Sequence, residues 1–118
     1  MKIVILGAGH VGTSMAEILS LEANDVTLID CNANQLEGLQ DQLDIRTIVG
    51  NGPHPGILEQ AGIEDADLLL AVTDQDEVNM AACQIAYSLY RTPKKIARIR
   101  ATEYLTPVSY THLTLPTT

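Results

Sequence analysis

Three glycines near the start of the chain, Gly7, Gly9 and Gly12, have the spacing G-x-G-x-x-G and follow an apolar segment. The first glycine would permit a tight turn, the second would let a pyrophosphate approach the backbone, and the third would let a helix pack closely on the strand. A helix beginning here would also present unpaired N–H groups to phosphate. The spacing therefore predicts a dinucleotide site, with His10 and Val11 as further contacts inside the loop. For His10, contact with a phosphate or ribose and a solvent-facing position are equal alternatives.

An acidic residue, Asp30, stands 18 positions beyond Gly12, where the second predicted strand ends. A carboxylate at this place accepts hydrogen bonds from ribose hydroxyls and repels a 2′-phosphate, so it favours NAD over NADP. The alternative is a glycine turn with an incidental aspartate. The strand before the loop and the helix after it favour the nucleotide-binding interpretation.

Two polar residues, Asn51 and Thr73, follow the third and fourth predicted strands in the segments VGNG and VTDQDEVN. Ligands of open α/β sheets bind at the carboxyl ends of the strands. Asn51 is therefore a candidate contact for the adenine side of a ligand, with a simple turn as the equal alternative, and Thr73 is a candidate contact for a ribose or phosphate. Asp74 and Asp76 are interpreted as residues that favour a helix N-terminus electrostatically.

Two arginines, Arg98 and Arg100, lie in the segment KKIARIR (Lys94–Arg100), in and just after the predicted strand Lys95–Ile99, and share one face by period two. A guanidinium at the carboxyl end of a strand could bind a terminal phosphate, or the ligand of a neighbouring subunit, through two hydrogen bonds. Pairing with surface carboxylates is the alternative, since the chain is rich in them.

Composition argues against several classes of partner. The 118 residues carry a formal net charge of −8, which disfavours nucleic acid and anionic membrane surfaces. No apolar run approaches the roughly 18 residues of a membrane span, so direct membrane insertion is not expected. Cys31 and Cys83 lie far apart, and with three scattered histidines they form no metal-binding pattern. We expect free thiols and a cytoplasmic location.

Strand-length apolar runs alternate with segments of helical period, which predicts an α/β fold. Regular alternation implies right-handed crossovers and therefore a Rossmann-type, doubly wound parallel sheet with helices on both faces, three layers in all. The predicted strands are Lys2–Leu6, Asp25–Ile29, Ile45–Val49, Leu68–Val72 and Lys95–Ile99. The predicted helices are Val11–Leu21, a helix capped by Asn32 that ends at Leu43, Pro55–Ala61, and one from Asp74 or Asp76 to Tyr90.

The chain divides into a nucleotide-binding domain, residues 1–106, and a tail, residues 107–118, that lacks helical period. A Rossmann sheet is expected to add a sixth strand after a helix that starts near residues 101–104. We therefore expect the sheet to be truncated and the natural protein to be longer. The tail is either a poorly fitting edge strand or sequence that is not native, and no function is assigned to it.

The segments KIVILGAGHVG, VGNG, TDQDEVNMAACQIAYSLY and IARIR, together with Asp30, resemble the nucleotide-binding domains of the KTN or RCK family. These domains belong to cytoplasmic regulatory subunits of bacterial potassium uptake systems. The resemblance covers about residues 1–106. It includes the T-x-x-D-E-x-N helix start and the paired arginines, which are not general Rossmann features.

The resemblance implies a regulatory role without catalysis. Domains of this family bind NAD(H), and ATP or ADP, in the crevice, assemble as dimers or larger rings, and gate a membrane potassium transporter from the inner face of the plasma membrane. Carried over by position, the glycine loop would hold phosphates, Asp30 the ribose, Asn51 the base side, and Thr73 the central crevice. Arg100, followed by Arg98, would sense a terminal phosphate.

Two alternative functions have less support from the residues. An NAD-dependent oxidoreductase fragment that lacks its substrate domain would share the cofactor loop, but no Lys, Tyr or His has a clear proton-transfer role. A Rossmann-type interaction domain with an empty site is disfavoured by the intact glycines and Asp30.

Overall fold

The computed structural model describes residues 1–101, and its centre is a sheet of five parallel strands. The strands are β1 (Lys2–Leu6), β2 (Asp25–Asp30), β3 (Arg46–Val49), β4 (Leu68–Ala71) and β5 (Lys94–Ala97). Their order across the sheet is β3-β2-β1-β4-β5. The chain therefore builds outward from β1 in one direction and then returns to add β4 on its other side. This order confirms the predicted Rossmann-type sheet and opens a crevice at the carboxyl ends of β1 and β4.

Helices connect the strands. They are α1 (His10–Leu21), α2 (Ala33–Leu36), α3 (Leu39–Gln42), α4 (Pro55–Gln60), a 3₁₀ turn (Ile63–Asp65), α5 (Asp76–Ile85) and a π-helical turn (Ala86–Tyr90) that continues α5. No helix within residues 1–101 combines the length and the apolar character that crossing a bilayer would require.

The central strand β1 is buried on both faces because its side chains alternate between two hydrophobic clusters. Val4 and Leu6 pack in the cluster that α4 and α5 cover, whereas Ile3 and Ile5 pack in the cluster that α1 and α2 cover. This explains why the strand is a continuous apolar run without polar alternation. Full burial of each such side chain contributes roughly 1.5–3 kcal/mol to stability.

The predicted single helix ending at Leu43 is wrong, because the segment forms α2 and α3 instead. Glu37 is extended, with ψ 129°, and Gly38 adopts a left-handed conformation with φ 80°. The leucine spacing suggested one helix because Leu36, Leu39 and Leu43 all still pack on the same core cluster. Gly38, with its positive φ, interrupts the helix, whereas the stripe of leucines continues across the break.

The last described strand is shorter than predicted at its carboxyl end, since β5 ends at Ala97 and the predicted strand ends at Ile99. α5 is followed by the π-helical turn up to Tyr90, and Arg91 then adopts a left-handed conformation with φ 51°. The predicted helix from residues 101–104 and the predicted tail, residues 107–118, lie outside the described residues.

The two cysteines should differ sharply in reactivity. Cys83 is fully buried, and desolvation raises the pKa of its thiol to about 12, so almost no thiolate forms at neutral pH. Cys31 is exposed. We expect a disulfide reagent such as dithionitrobenzoate to modify one thiol rapidly in the native chain and the second only after unfolding. Cys31→Ser should remove the rapid phase, and rapid modification of two thiols in the folded chain would contradict the packing around α5.

Candidate functional site

The carboxyl ends of the strands meet at a cavity of about 490 Å³, a size typical of small-molecule sites, which span roughly 300–1,000 Å³. Nine of the ten predicted ligand contacts line this cavity, and Gly12 does not. The nine are Gly7, Gly9, His10, Val11, Asp30, Asn51, Thr73, Arg98 and Arg100. Residues predicted from separate loops are thus brought to one place.

Gly12 and Gly7 set the close approach of α1 to the sheet. A Cβ at Gly12 would overlap the carbonyl oxygen of Gly7 and lie 3.4 Å from the Val72 side chain. Gly7 has φ 109°, and a Cβ there would lie 2.9 Å from the amide nitrogen of Thr73. The amide of Gly7 donates to the carbonyl of Ile29 at 2.7 Å. Both glycines are therefore required for packing, before any ligand is considered.

Gly9 differs because the space beside it is open. It is the N-cap residue of α1, has φ −74°, and makes no side-chain cap. A Cβ built on Gly9 meets nothing within 4 Å. The first turn of α1, which begins at exposed His10, contains no acidic residue. No acidic side chain of the helix itself therefore offsets its positive end, and Gly9 is the place where an anion can reach the backbone.

The half-buried carboxylate of Asp30 joins two loops at the cavity wall. One oxygen accepts a hydrogen bond from the amide of Ala8 at 2.7 Å, and the other accepts from the amide of Asn32 at 2.8 Å. Each carboxylate oxygen has more than one acceptor site. Asp30 can therefore fix the loops and still accept a hydrogen bond from a ribose hydroxyl.

Three exposed residues after β2, Cys31, Asn32 and Gln35, also line the cavity, although the sequence analysis did not propose them as contacts. Asn32 does cap α2 as predicted, since its side chain accepts from the amide of Asn34 at 3.0 Å. Their position directly after Asp30, at the carboxyl end of β2, is the signal that would have identified them, because ligands of open α/β sheets bind at that edge.

Asn51 lies exposed at the cavity in a turn after β3, and its carbonyl accepts from the amide of His54 at 3.1 Å. The neighbouring Gly52 is buried, and a Cβ there would overlap the side chain of Leu6. The turn can therefore pack directly on the end of β1. The two interpretations of this segment are compatible, since it is a turn whose packing brings Asn51 to the cavity.

Asn79, in α5, is fully buried and ties the ends of β4 and β5 together. Its Oδ1 accepts from the amide and the hydroxyl of Thr73, at 2.9 and 2.7 Å. Its Nδ2 donates to the carbonyls of Thr73 and Arg98, at 3.0 and 2.9 Å. The hydrogen-bonding capacity of this amide is thereby satisfied. Thr73 lines the cavity, but its hydroxyl is already engaged in this network.

Asp76 has a larger role than the predicted electrostatic support of a helix start. It is the first residue of α5, and its carboxylate accepts from the amides of Arg100 and Ala101, at 3.0 and 2.8 Å. The hydrogen bond from the Arg100 amide, which has the larger effect, and that from the Ala101 amide hold the pKa of Asp76 below its ordinary value. Burial opposes the shift, and the positive charges of Arg100 and Arg98 add to it. The sequence offered no sign that this carboxylate binds the chain after β5.

The two arginines line the cavity just beyond the observed end of β5 at Ala97. Half-buried Arg98 and exposed Arg100 flank Ile99, which is buried in the core. The alternation by two residues therefore persists after β5 ends. This extension is held by a bond from the amide of Arg98 to the carbonyl of Ala71 at 2.9 Å, and by the contacts from Asn79 and Asp76.

Among residues 1–101, no group of three or more His, Cys, Asp and Glu side chains could hold a metal ion. The arrangement therefore offers hydrogen-bond donors, a helix N-terminus, a ribose-type carboxylate and two guanidinium groups. This combination is suited to holding a nucleotide.

The lowered pKa of Asp76 makes part of the stability depend on pH. A carboxyl group whose pKa is lowered in the folded state contributes its full stabilisation of the fold at pH values above its ordinary pKa, 3.8. This contribution is lost as the pH falls through the folded-state pKa. Asp76→Asn should lower the free energy of unfolding at pH 7 by about 1–3 kcal/mol, since one amide loses its acceptor and the other keeps only a neutral one. The difference from the unchanged chain should shrink below about pH 4.

Guanidinium unfolding followed by circular dichroism between pH 7 and pH 3 would measure the effect of Asp76→Asn. Glu17→Gln, which removes an exposed charge from α1, is the control. A deficit of Asp76→Asn that stays constant down to pH 3 would contradict the assigned role.

Comparison with known proteins extends these observations. The family model of the TrkA-N domain matches residues 3–112. The chain is 60% identical over 106 residues to the Trk system potassium uptake protein TrkA of Halomonas elongata, and 55% identical over 105 residues to that of Vibrio alginolyticus. These matches cover 90% and 89% of the chain, but only 23% of each relative. The chain thus spans about a quarter of the length of these relatives.

Solved structures share the fold at low sequence identity. The Shewanella denitrificans Kef CTD in AMP-bound form has a TM-score of 0.77 at 22% identity, over 88% of this chain and 62% of that one. The GsuK channel bound to NAD has a TM-score of 0.75 at 20% identity, over 87% of this chain and 18% of that one. The family match covers nearly the whole chain, and the solved structures share its fold. The chain belongs to the TrkA-N domain family.

Proposed function

We propose that this chain is the nucleotide-binding domain of a regulatory subunit that controls a Trk-type potassium transporter. NAD(H), ATP or ADP would bind in the cavity at the carboxyl edge of the sheet. The subunit would be cytoplasmic and would lie on the inner face of the plasma membrane through its transporter partner. The observation that carries the proposal is the convergence of nine predicted ligand contacts, from separate loops, on one cavity beside the uncapped start of α1.

The residues of this chain suit a nucleotide in distinct ways. The phosphates would lie over Gly9 and the first turn of α1, where the backbone is open to the cavity. The Asp30 carboxylate would accept from a ribose hydroxyl, and Asn51 would contact the base side. Arg100 and Arg98 would meet a terminal phosphate by charge-assisted hydrogen bonds.

The bound nucleotide would act as a signal and would not be consumed. A ligand shifts an equilibrium between two arrangements only if it binds them with different affinity. In a homodimer or larger ring, such a difference would change the shape of the assembly and thereby the state of the transporter. The relatives' name, a potassium uptake protein, supports this role over that of an oxidoreductase fragment.

The structural neighbours support the choice of ligand class. One neighbour was solved with AMP and another with NAD, so this fold accommodates a mononucleotide and a dinucleotide in those proteins. The same sheet edge in this chain combines a ribose-type carboxylate with arginines, which suits both kinds of ligand. We therefore keep NAD(H) and ATP or ADP as candidates.

Gly9→Ala should separate ligand binding from folding. The added methyl enters open space, so the free energy of unfolding should change by about 1 kcal/mol or less. The same methyl should obstruct the approach of phosphates to the backbone and weaken the binding of NADH and ADP at least tenfold. Calorimetric titration and guanidinium unfolding would measure the two effects.

Gly12→Ala is the matched control because its methyl overlaps the Gly7 carbonyl behind the cavity. This variant should lose stability by about 1–3 kcal/mol through overpacking. If Gly9→Ala binds nucleotide as tightly as the unchanged chain, the phosphates do not lie where we propose.

We also expect that the chain does not catalyse oxidation of the bound nucleotide. The purified chain should bind NADH, and incubation with small carbonyl compounds should leave the 340 nm absorbance of NADH unchanged. Affinity purification of the protein should recover a membrane potassium transporter in amounts that change when nucleotide is added. Sustained NADH oxidation would instead favour the oxidoreductase alternative.

A further inference from the structure

Two residues of α5, Asp76 and Asn79, lie behind the cavity and have no role in the proposed function. Asp76 and Asn79 do not line the cavity, whereas Thr73, Arg98 and Arg100 do. Asp76 is 9% exposed and Asn79 is fully buried. Burial of a carboxylate and an amide is costly unless they are hydrogen-bonded, and apolar side chains would fill the same space without that cost. Their bonding partners therefore indicate their purpose.

All the partners are main-chain or hydroxyl groups of the two segments that edge the cavity. Asn79 bonds Thr73, which follows β4, and the carbonyl of Arg98, which follows β5. Asp76 bonds the amides of Arg100 and Ala101. The four residues 98–101 are therefore held to the first two turns of α5 by three hydrogen bonds, at a place where the β ladder has already ended.

We propose that Asp76 and Asn79 are positioning residues that hold residues 98–101 at the mouth of the cavity, so that Arg100 and Arg98 discriminate nucleotides by their terminal phosphates. This inference rests on the proposed function. The Asp76 carboxylate directs both of its bonds to main-chain amides, so it fixes where residue 100 lies. The carboxylate acts on the ligand only through the arginine.

The first test needs no ligand. Amide hydrogen exchange, read by NMR, should show protection at Arg100 and Ala101 in the unchanged chain. Asp76→Asn should reduce protection at these two amides while the strand amides of β1 and β4 keep theirs. Glu17→Gln, which replaces an exposed carboxylate in α1, should leave the protection of residues 100 and 101 in place. Unchanged protection of both amides in Asp76→Asn would overturn the inference whatever the nucleotide data show.

The second test measures discrimination, with AMP and ATP as the probes. We expect the unchanged chain to bind ATP about tenfold more tightly than AMP, and Arg100→Gln to lower this ratio toward one. Asp76→Asn should lower the ratio to the same extent while the affinity for AMP changes less than twofold. The double variant should show no further loss, because both substitutions would remove one function.

Ala101→Pro is a second route to the same result, because it removes a hydrogen-bond donor to Asp76 and keeps every side chain of the cavity. It should also lower the ratio. An equal weakening of AMP and ATP in Asp76→Asn and Ala101→Pro would show a general structural role and overturn the inference. If the unchanged chain binds neither nucleotide, the proposed function itself fails. If the unchanged chain prefers ATP and the variants keep that preference, only the positioning role of Asp76 fails.

Discussion

The close approach of α1 to the end of β1 is the constraint on which the site depends. It is possible only because Gly12 has no Cβ where the Gly7 carbonyl lies, and because Gly7 can adopt φ 109° beside the backbone of Thr73. The approach brings the positive end of a helix, the turn after β1 and the loop after β4 within one cavity. A larger side chain at Gly7 or Gly12 would push these elements apart, so it would disrupt the site even if it contacted no ligand. The glycine pattern is therefore a packing requirement first, and Gly9 alone is left free to serve the ligand.

Polar groups in the core organise the other wall of the cavity. The Asn79 amide and the Asp76 carboxylate replace β-ladder bonds where β4 and β5 have ended, so the chain can leave the sheet and still be held in place. Such bonds are strong when complete, and leaving a buried partner unsatisfied costs about 1–3 kcal/mol. The wall is thus rigid as long as each bond is made.

Much of this arrangement was predictable from the sequence, because its signals are local. Apolar runs located the strands and helical periods located the helices. The ends of the strands then indicated which polar residues would lie at the crevice, namely Asp30, Asn51, Thr73 and the arginines. The break at Gly38 was missed because the leucine stripe continued through it. The limit of β5 was missed because the alternation around Ile99 continued after the ladder ended.

The role of Asp76 and Asn79 was missed for a different reason. A carboxylate at a helix start has an adequate local explanation, and Asn79 was noted only as the last residue of the T-x-x-D-E-x-N motif, without a role of its own. Their partners lie 24 and 25 residues away for Asp76, and 19 residues away for one bond of Asn79. Only the three-dimensional structure brings such partners together, so long-range polar contacts are the part of a site that local reasoning cannot supply.

The energies involved explain how such a wall could serve regulation. Allosteric coupling between two sites is typically 1–3 kcal/mol, whereas folding a domain of this kind is worth roughly 5–15 kcal/mol. A nucleotide can therefore bias a few hydrogen bonds without unfolding the sheet. Residues 98–101 satisfy this condition, since they follow β5, are held by three side-chain hydrogen bonds and one main-chain bond to Ala71, and carry the two guanidinium groups of the cavity. Under the proposed function, a terminal phosphate that engages these groups would change the energy of the segment and leave the five strands as they are.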